Sequence, residues 1–220
     1  PLPNQGYGNW SGTSMASPIL AGIAALARTK WPDKTAYSSR FIMGQIAATG
    51  GKVRGVTPPL GKPRRYSKID ALTALTTLPA PKLNFEKLWV FDEPAGSAIN
   101  DGDGRLDAGE TIELAIVIRN RWGKADNVQA TLSTPSGAST ADPYVTLDTA
   151  TVNYGAVGSF NKDDNGLIFD DELLVIGVSE PFVVSASADT PNNHIVPFTL
   201  TMTASNGLDS SDTERYEFTG

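Results

Sequence analysis

The hydrophobic pattern changes its period once along these 220 residues, and the change falls at Leu78-Pro-Ala-Pro-Lys82. Before it, Ala- and Leu-rich stretches such as Ser14-Met-Ala-Ser-Pro-Ile-Leu-Ala-Gly-Ile-Ala-Ala-Leu-Ala-Arg-Thr-Lys30 carry apolar residues at helical spacing. After it, short Val-, Ile- and Thr-rich runs alternate polar with apolar, as in Thr111-Ile-Glu-Leu-Ala-Ile-Val-Ile-Arg119. A period of 3.6 suits a helix and a period of 2 suits a strand, so one chain holding both needs two differently built parts. Charge divides at the same place. Residues 1–82 carry 11 Lys or Arg against the 2 acids Asp33 and Asp70, a balance of +9, whereas residues 83–220 carry 7 against 22, a balance of −15. Two prolines within the linker stiffen it. The expected fold class is α+β as a chain, with a helical unit at 1–82 and an all-β unit at 83–220.

Composition removes several classes of function. With no cysteine there is no disulfide, no thiolate metal site and no cysteine nucleophile. The longest apolar run, Ile19 to Ala27, is broken by Gly22 and is much shorter than the roughly 20 residues that span a bilayer. No membrane span is expected. Basic residues of the first part are scattered without interleaved aromatics, so they read as a solvated face and no nucleic-acid partner is expected. The chain starts Pro-Leu-Pro, with no initiator Met and no basic or apolar leader, and so reads as a piece of a longer protein.

Within the first part, the pattern predicts a buried helix from Ser14 to Lys30, with Gly12-Thr13-Ser14 supplying a turn and capping hydroxyls. Pro18 is tolerated if it lies near the first turn. A second helix is expected from about Thr35 to Ala48 and a third from Ser67 to Thr77. Between them, Gly51 to Arg65 contains Pro58, Pro59 and Pro63 and reads as loop. Local chemistry alone makes Ser14 an ordinary N-cap. It also places the hydroxyl at the positive end of a helix macrodipole, where a developing oxyanion is stabilised.

Gly12-Thr13-Ser14-Met15-Ala16-Ser17-Pro18, followed by Ala21-Gly22, strongly resembles the nucleophile motif of subtilisin-like serine proteases. Residues 34–49 look like the next surface helix of those enzymes, and Tyr66-Ser-Lys-Ile-Asp-Ala71 is similar to their final helix. The resemblance spans residues 1 to about 78, the C-terminal part of an α/β catalytic domain. Ile19 departs from it, since many members carry His there, but that His is outside the triad. What the resemblance implies is a Ser-His-Asp triad with Ser14 as nucleophile and its backbone N–H as an oxyanion-hole donor. Its Asp, His and oxyanion-hole Asn should precede Pro1. No cofactor is then required for catalysis. A serine without its base is a poor nucleophile, so the isolated chain is expected to be inactive. His194, the one histidine, follows Ser14 by 180 residues, whereas the family's base precedes the serine, and it reads as a loop or strand-edge residue.

Strands in the second part are expected at Leu83–Phe91, Thr111–Asn120, Val128–Ser133, Val145–Asp148, Pro181–Ala188 and Ile195–Ala204, with a last one at Glu214–Phe218. About seven short strands with Gly, Asn and Asp turns point to an immunoglobulin-like sandwich. The loop Asn100-Asp-Gly-Asp-Gly-Arg-Leu-Asp-Ala-Gly-Glu110 holds two open readings. Asp101, Asp103, Asp107 and Glu110 either converge on calcium, a hard cation that takes six to eight oxygens, or satisfy backbone donors in a tight turn. Asp163-Asp164-Asn165 and Asp170-Asp171-Glu172 read as solvated loop. Residues 101–120 (DGDGRLDAGETIELAIVIRN), 141–148 (ADPYVTLD) and 197–207 (PFTLTMTASNG) look like accessory sandwich domains of secreted bacterial peptidases. The resemblances together imply a secreted or cell-surface endopeptidase acting on protein or peptide substrates, completed by a missing upstream catalytic segment. The rival reading is a non-catalytic β-sandwich binding or secretion module. In the family a sheet buries the first helix; without it, the helix is expected to pack on the sandwich or on a second copy.

Overall fold

The computed structural model describes residue 8 and residues 12–52, 67–92, 100–136, 140–207 and 214–219. Pro58, Pro59, Pro63 and Tyr66 lie outside the described residues. The chain divides into two compact units, Pro1–Pro79 and Ala80–Gly220. It is rich in antiparallel sheet and has few helices.

In the first unit α1 is Thr13–Lys30, α2 is Ser39–Thr49 and α3 is Ala71–Thr76; Gly51–Lys52 (β1) pairs antiparallel with Ser67–Lys68 (β2). Side-chain oxygens start two of the helices. Ser38 accepts from the Phe41 N–H at 3.3 Å ahead of α2, and Asp70 accepts from the Thr73 N–H at 3.0 Å ahead of α3. The small core gathers Ala27, Trp31, Phe41, Ile42, Ile46 and Ala74. Trp31 meets Phe41 edge-on at 5.4 Å between centroids. Gln45, fully buried, donates Nε2 to the Ala74 and Thr77 carbonyls at 3.3 and 2.9 Å and ties α2 to α3.

Helices α1 and α3 depart from the sequence pattern. Of α1 only Ala27 is buried, while Ile19 is 63% and Leu26 54% exposed. Two shorter helices supply too little apolar surface to cover an 18-residue one. The third helix is also shorter than expected, because Ser67–Lys68 is extended against β1 and Asp70 caps the helix from Ala71.

The second unit runs β3 (Leu83–Phe91), β4 (Thr111–Asn120), β5 (Ala125–Ser133), β6 (Pro135–Ser136), β7 (Thr140–Ala141), β8 (Val145–Thr149), β9 (Thr151–Val157), β10 (Lys162–Asp164), β11 (Leu167–Phe169), β12 (Val175–Val178), β13 (Phe182–Ala186), β14 (Ile195–Thr203) and β15 (Glu214–Thr219). One sheet holds β3, β4, β8, β10 and β13, and a second has the order β15-β14-β5-β9. Alternation along β4, β5 and β14 turns Leu114, Ile118, Val128, Leu132, Phe198 and Leu200 inward, and both sheets share one apolar core.

Strand β4 is central. One edge pairs with β3 along its length, while the other pairs with β13 over Thr111–Leu114 and with β10 over Val117–Arg119. Asn165 fills the gap between those two neighbours. Its Oδ1 accepts the Ile116 N–H at 2.7 Å and its Nδ2 donates to the Leu114 and Glu180 carbonyls at 3.1 and 2.7 Å. The 163–165 segment is therefore not solvated loop: Asp163 and Asp164 lie in β10, and Asn165 is buried because it replaces a missing rung of the ladder.

Candidate functional site

Ser14 is the second residue of α1, and the N-cap is Gly12, with no side-chain cap hydrogen bond. Ser14 is thus not the cap. Met15 and Ala16 N–H both donate to the Gly12 carbonyl, at 3.0 and 3.3 Å. The Ser14 hydroxyl is exposed, and neither it nor the Ser14 N–H has a hydrogen-bond partner among the described residues. Pro18 stands inside the helix beyond its first turn, so the Ser14 carbonyl four residues earlier receives no helical N–H. Among the described residues, the Ser14 hydroxyl and amide N–H are thus unengaged at the positive end of an 18-residue helix.

His194 is engaged elsewhere. Its Nε2 lies 2.8 Å from Oδ2 of Asp142, whose side chain is 4% exposed, and Tyr144 packs edge-on against the imidazole at 5.0 Å. The Tyr144 N–H donates to the other Asp142 oxygen at 2.9 Å. This histidine is only partly exposed, held just ahead of β14 by a buried carboxylate that the sequence reading did not connect with it.

The acidic loop divides its carboxylates between two tasks. Glu110, buried where β4 begins, accepts the Asp101 N–H on Oε1 at 3.2 Å and the Asp107 N–H on Oε2 at 2.8 Å. It staples the loop from inside. Asp101 and Asp103 instead join Asp92, and one carboxylate oxygen from each lies within 4.8 Å of the others. Asp92 is buried at the end of β3, accepting Asn100 Nδ2 at 3.0 Å and the Gly104 N–H at 2.9 Å. Gly102 and Gly104 take φ of 79° and 81°, a left-handed backbone that brings Asp101 and Asp103 around to the same side. Of the four residues expected to converge, Asp101 and Asp103 do so, whereas Asp107 and Glu110 are outside the group. Asp92 was missed because it closes a strand nine residues before Asp101, and only pairing of β3 with β4 brings the two together.

Comparison with known proteins bears on the first unit. Residues 1–63 match the family model of the subtilases. The subtilase match includes Ser14 and all of α1 and α2, and covers 63 of the 220 residues. No curated protein matches the chain. Among solved structures, a β-glucosidase from Listeria innocua in complex with gluconolactone aligns over 80% of this chain at 14% identity, with a TM-score of 0.25. This chain spans 22% of that enzyme. Among the described residues, no helix is long and apolar enough to cross a membrane.

Proposed function

We propose that this chain is the C-terminal portion of a secreted or cell-surface subtilisin-like serine endopeptidase, with Ser14 as its nucleophile and the second unit as an accessory immunoglobulin-like sandwich. The observation that carries this reading is the subtilase match over residues 1–63. The exposed Ser14 at the N-terminus of α1 is consistent with it. In the parent enzyme, Ser14 Oγ attacks a peptide carbonyl while a histidine from the upstream segment takes its proton. The Ser14 N–H then faces the developing oxyanion. The one histidine of the chain, His194, is engaged by Asp142, and in this reading the base comes from the upstream segment, so the isolated chain is expected to be inactive. A fluorophosphonate probe is expected to leave the chain unlabelled, as read by intact-mass spectrometry. Stoichiometric labelling of Ser14 would refute the inactive fragment. Translating the reading frame upstream of the Pro1 codon tests the parentage: subtilase Asp, His and Asn motifs in that order support it, and a stop codon with a nearby start removes it.

A second reading, a calcium-binding module, is favoured by the convergence of Asp92, Asp101 and Asp103. Carboxylate oxygens from three side chains offer a hard cation half of a six-oxygen shell. Calorimetry with calcium should give heat that disappears in Asp101→Ala and Asp103→Ala. Absence of heat with the unaltered chain would eliminate this reading and leave the loop as a carboxylate-stapled turn.

A further inference from the structure

We propose that one end of the second unit's sandwich is a binding site for an aliphatic amino acid, either free or at the end of a peptide. Between the sheets lies a throat of about 60 Å³ lined by Leu106, Leu114, Val145, Ala186, Val196 and Phe198. It adjoins a mouth of about 300 Å³ lined by Arg105, Asp107, Thr190, Asn192, Asn193 and His194. Arg105, Leu106, Thr190 and His194 border both spaces, so throat and mouth are neighbours across these four side chains.

Size and chemistry together choose the ligand. A cavity of about 150 Å³ accepts benzene and about 10–15 Å³ admits one water, so a throat between those sizes suits a branched aliphatic group. Its apolar wall offers a water few partners, whereas an aliphatic group gains by leaving solvent. The mouth presents opposite charges two residues apart. The Arg105 side chain is 67% exposed and only loosely paired with Asp103 at 3.9 Å, which leaves the guanidinium able to take a carboxylate. Asp107 offers an acceptor for an ammonium or a peptide N–H. Asn192, Asn193 and Thr190 add neutral donors and acceptors suited to an amide backbone.

His194 marks the rim. Its pairing with the buried Asp142 and its edge contact with Tyr144 fix the ring where it borders both throat and mouth. Both partners come from the segment entering β8, so the rim is braced by a different part of the chain from the 187–194 loop that carries it.

Titration of the isotopically labelled 220-residue chain, followed by amide NMR, tests it with leucine, glycine, N-acetyl-leucine and leucinamide. Leucine, or one of its capped forms, should shift resonances around Leu106, Val145, Ala186 and His194 and bind about tenfold or more tightly than the matching glycine compound, the side chain being what enters the throat. Retention with N-acetyl-leucine identifies a peptide C-terminus, retention with leucinamide a peptide N-terminus, and loss with both a free amino acid. Ala186→Leu fills the throat and should weaken binding about tenfold or more. Arg105→Gln, at an exposed position that leaves folding intact, should weaken every ligand that carries a carboxylate. The proposal is overturned if no leucine compound shifts these resonances, if glycine compounds bind equally well, or if a folded Ala186→Leu variant binds as tightly as the original.

Discussion

Glu86 occupies the extra position in β3 where the register slips, Phe85 facing Ile118 and Lys87 facing Val117. The bulge leaves its carboxylate free to gather three cations. Lys162 Nζ lies at 2.6 Å, Arg119 binds through Nε and Nη2 at 2.8 and 3.0 Å, and Arg121 stands at 3.7 Å. Hydrogen bonds from Lys162 and then Arg119 hold its pKa at about 2, down from 4.5. A carboxylate whose pKa falls on folding stabilises the fold above its unfolded value, and that contribution fades as pH drops through the folded one. Glu86→Gln is therefore expected to unfold at lower urea than the original above pH 4.5, with the two midpoints merging as pH approaches 2. A gap that persists unchanged in acid would assign the effect to shape instead of charge. The strand at 83–91 was legible from its apolar pattern, but the bulge was not, since nothing in Leu83-Asn-Phe-Glu-Lys says which residue lacks a partner.

Elements built on alternation were readable, and elements built on backbone pairing alone were not. β4 begins and ends where the sequence pattern places it, because its inward residues are apolar at every second position. β10 is Lys162-Asp163-Asp164, with no apolar signature, and exists because one half of the β4 edge needs a partner. β9 does alternate at Val152 and Tyr154, but Gly155 at φ 70° interrupts the rhythm and hid it. The arrangement around β4 depends on one amide. Asn165→Leu would leave the Ile116 N–H and the Leu114 carbonyl unpaired in the interior, at about 1–3 kcal/mol for each stranded group. We expect a lower urea midpoint for that variant, with hydrogen exchange accelerated at Ile116. Unchanged stability would mean that β10 and β13 can close the gap themselves.

At the scale of the whole molecule, the helical unit shows a stripe that its own core does not cover. Met15, Ile19 and Leu26 are 46%, 63% and 54% exposed, and with Gly22 they follow the i, i+4, i+7, i+11 spacing of a single helix face. We expect a second copy to cover this stripe. Sedimentation velocity should show concentration-dependent association, abolished by Ile19→Glu with Leu26→Glu; a monomer at every concentration would refute it. The change from helical to strand period, the opposite charges of the two parts and the serine motif can be read along the chain, because each is written in neighbouring residues. Tertiary structure alone decided that Asp92 joins Asp101 and Asp103, that Asp142 holds His194, and that Asn165 completes β4. Those groupings join residues from 9 to 52 positions apart, and only strand pairing and the shared core bring them within hydrogen-bonding or charge range. The pairing is set by backbone groups common to every residue, so it leaves little trace in side-chain identity.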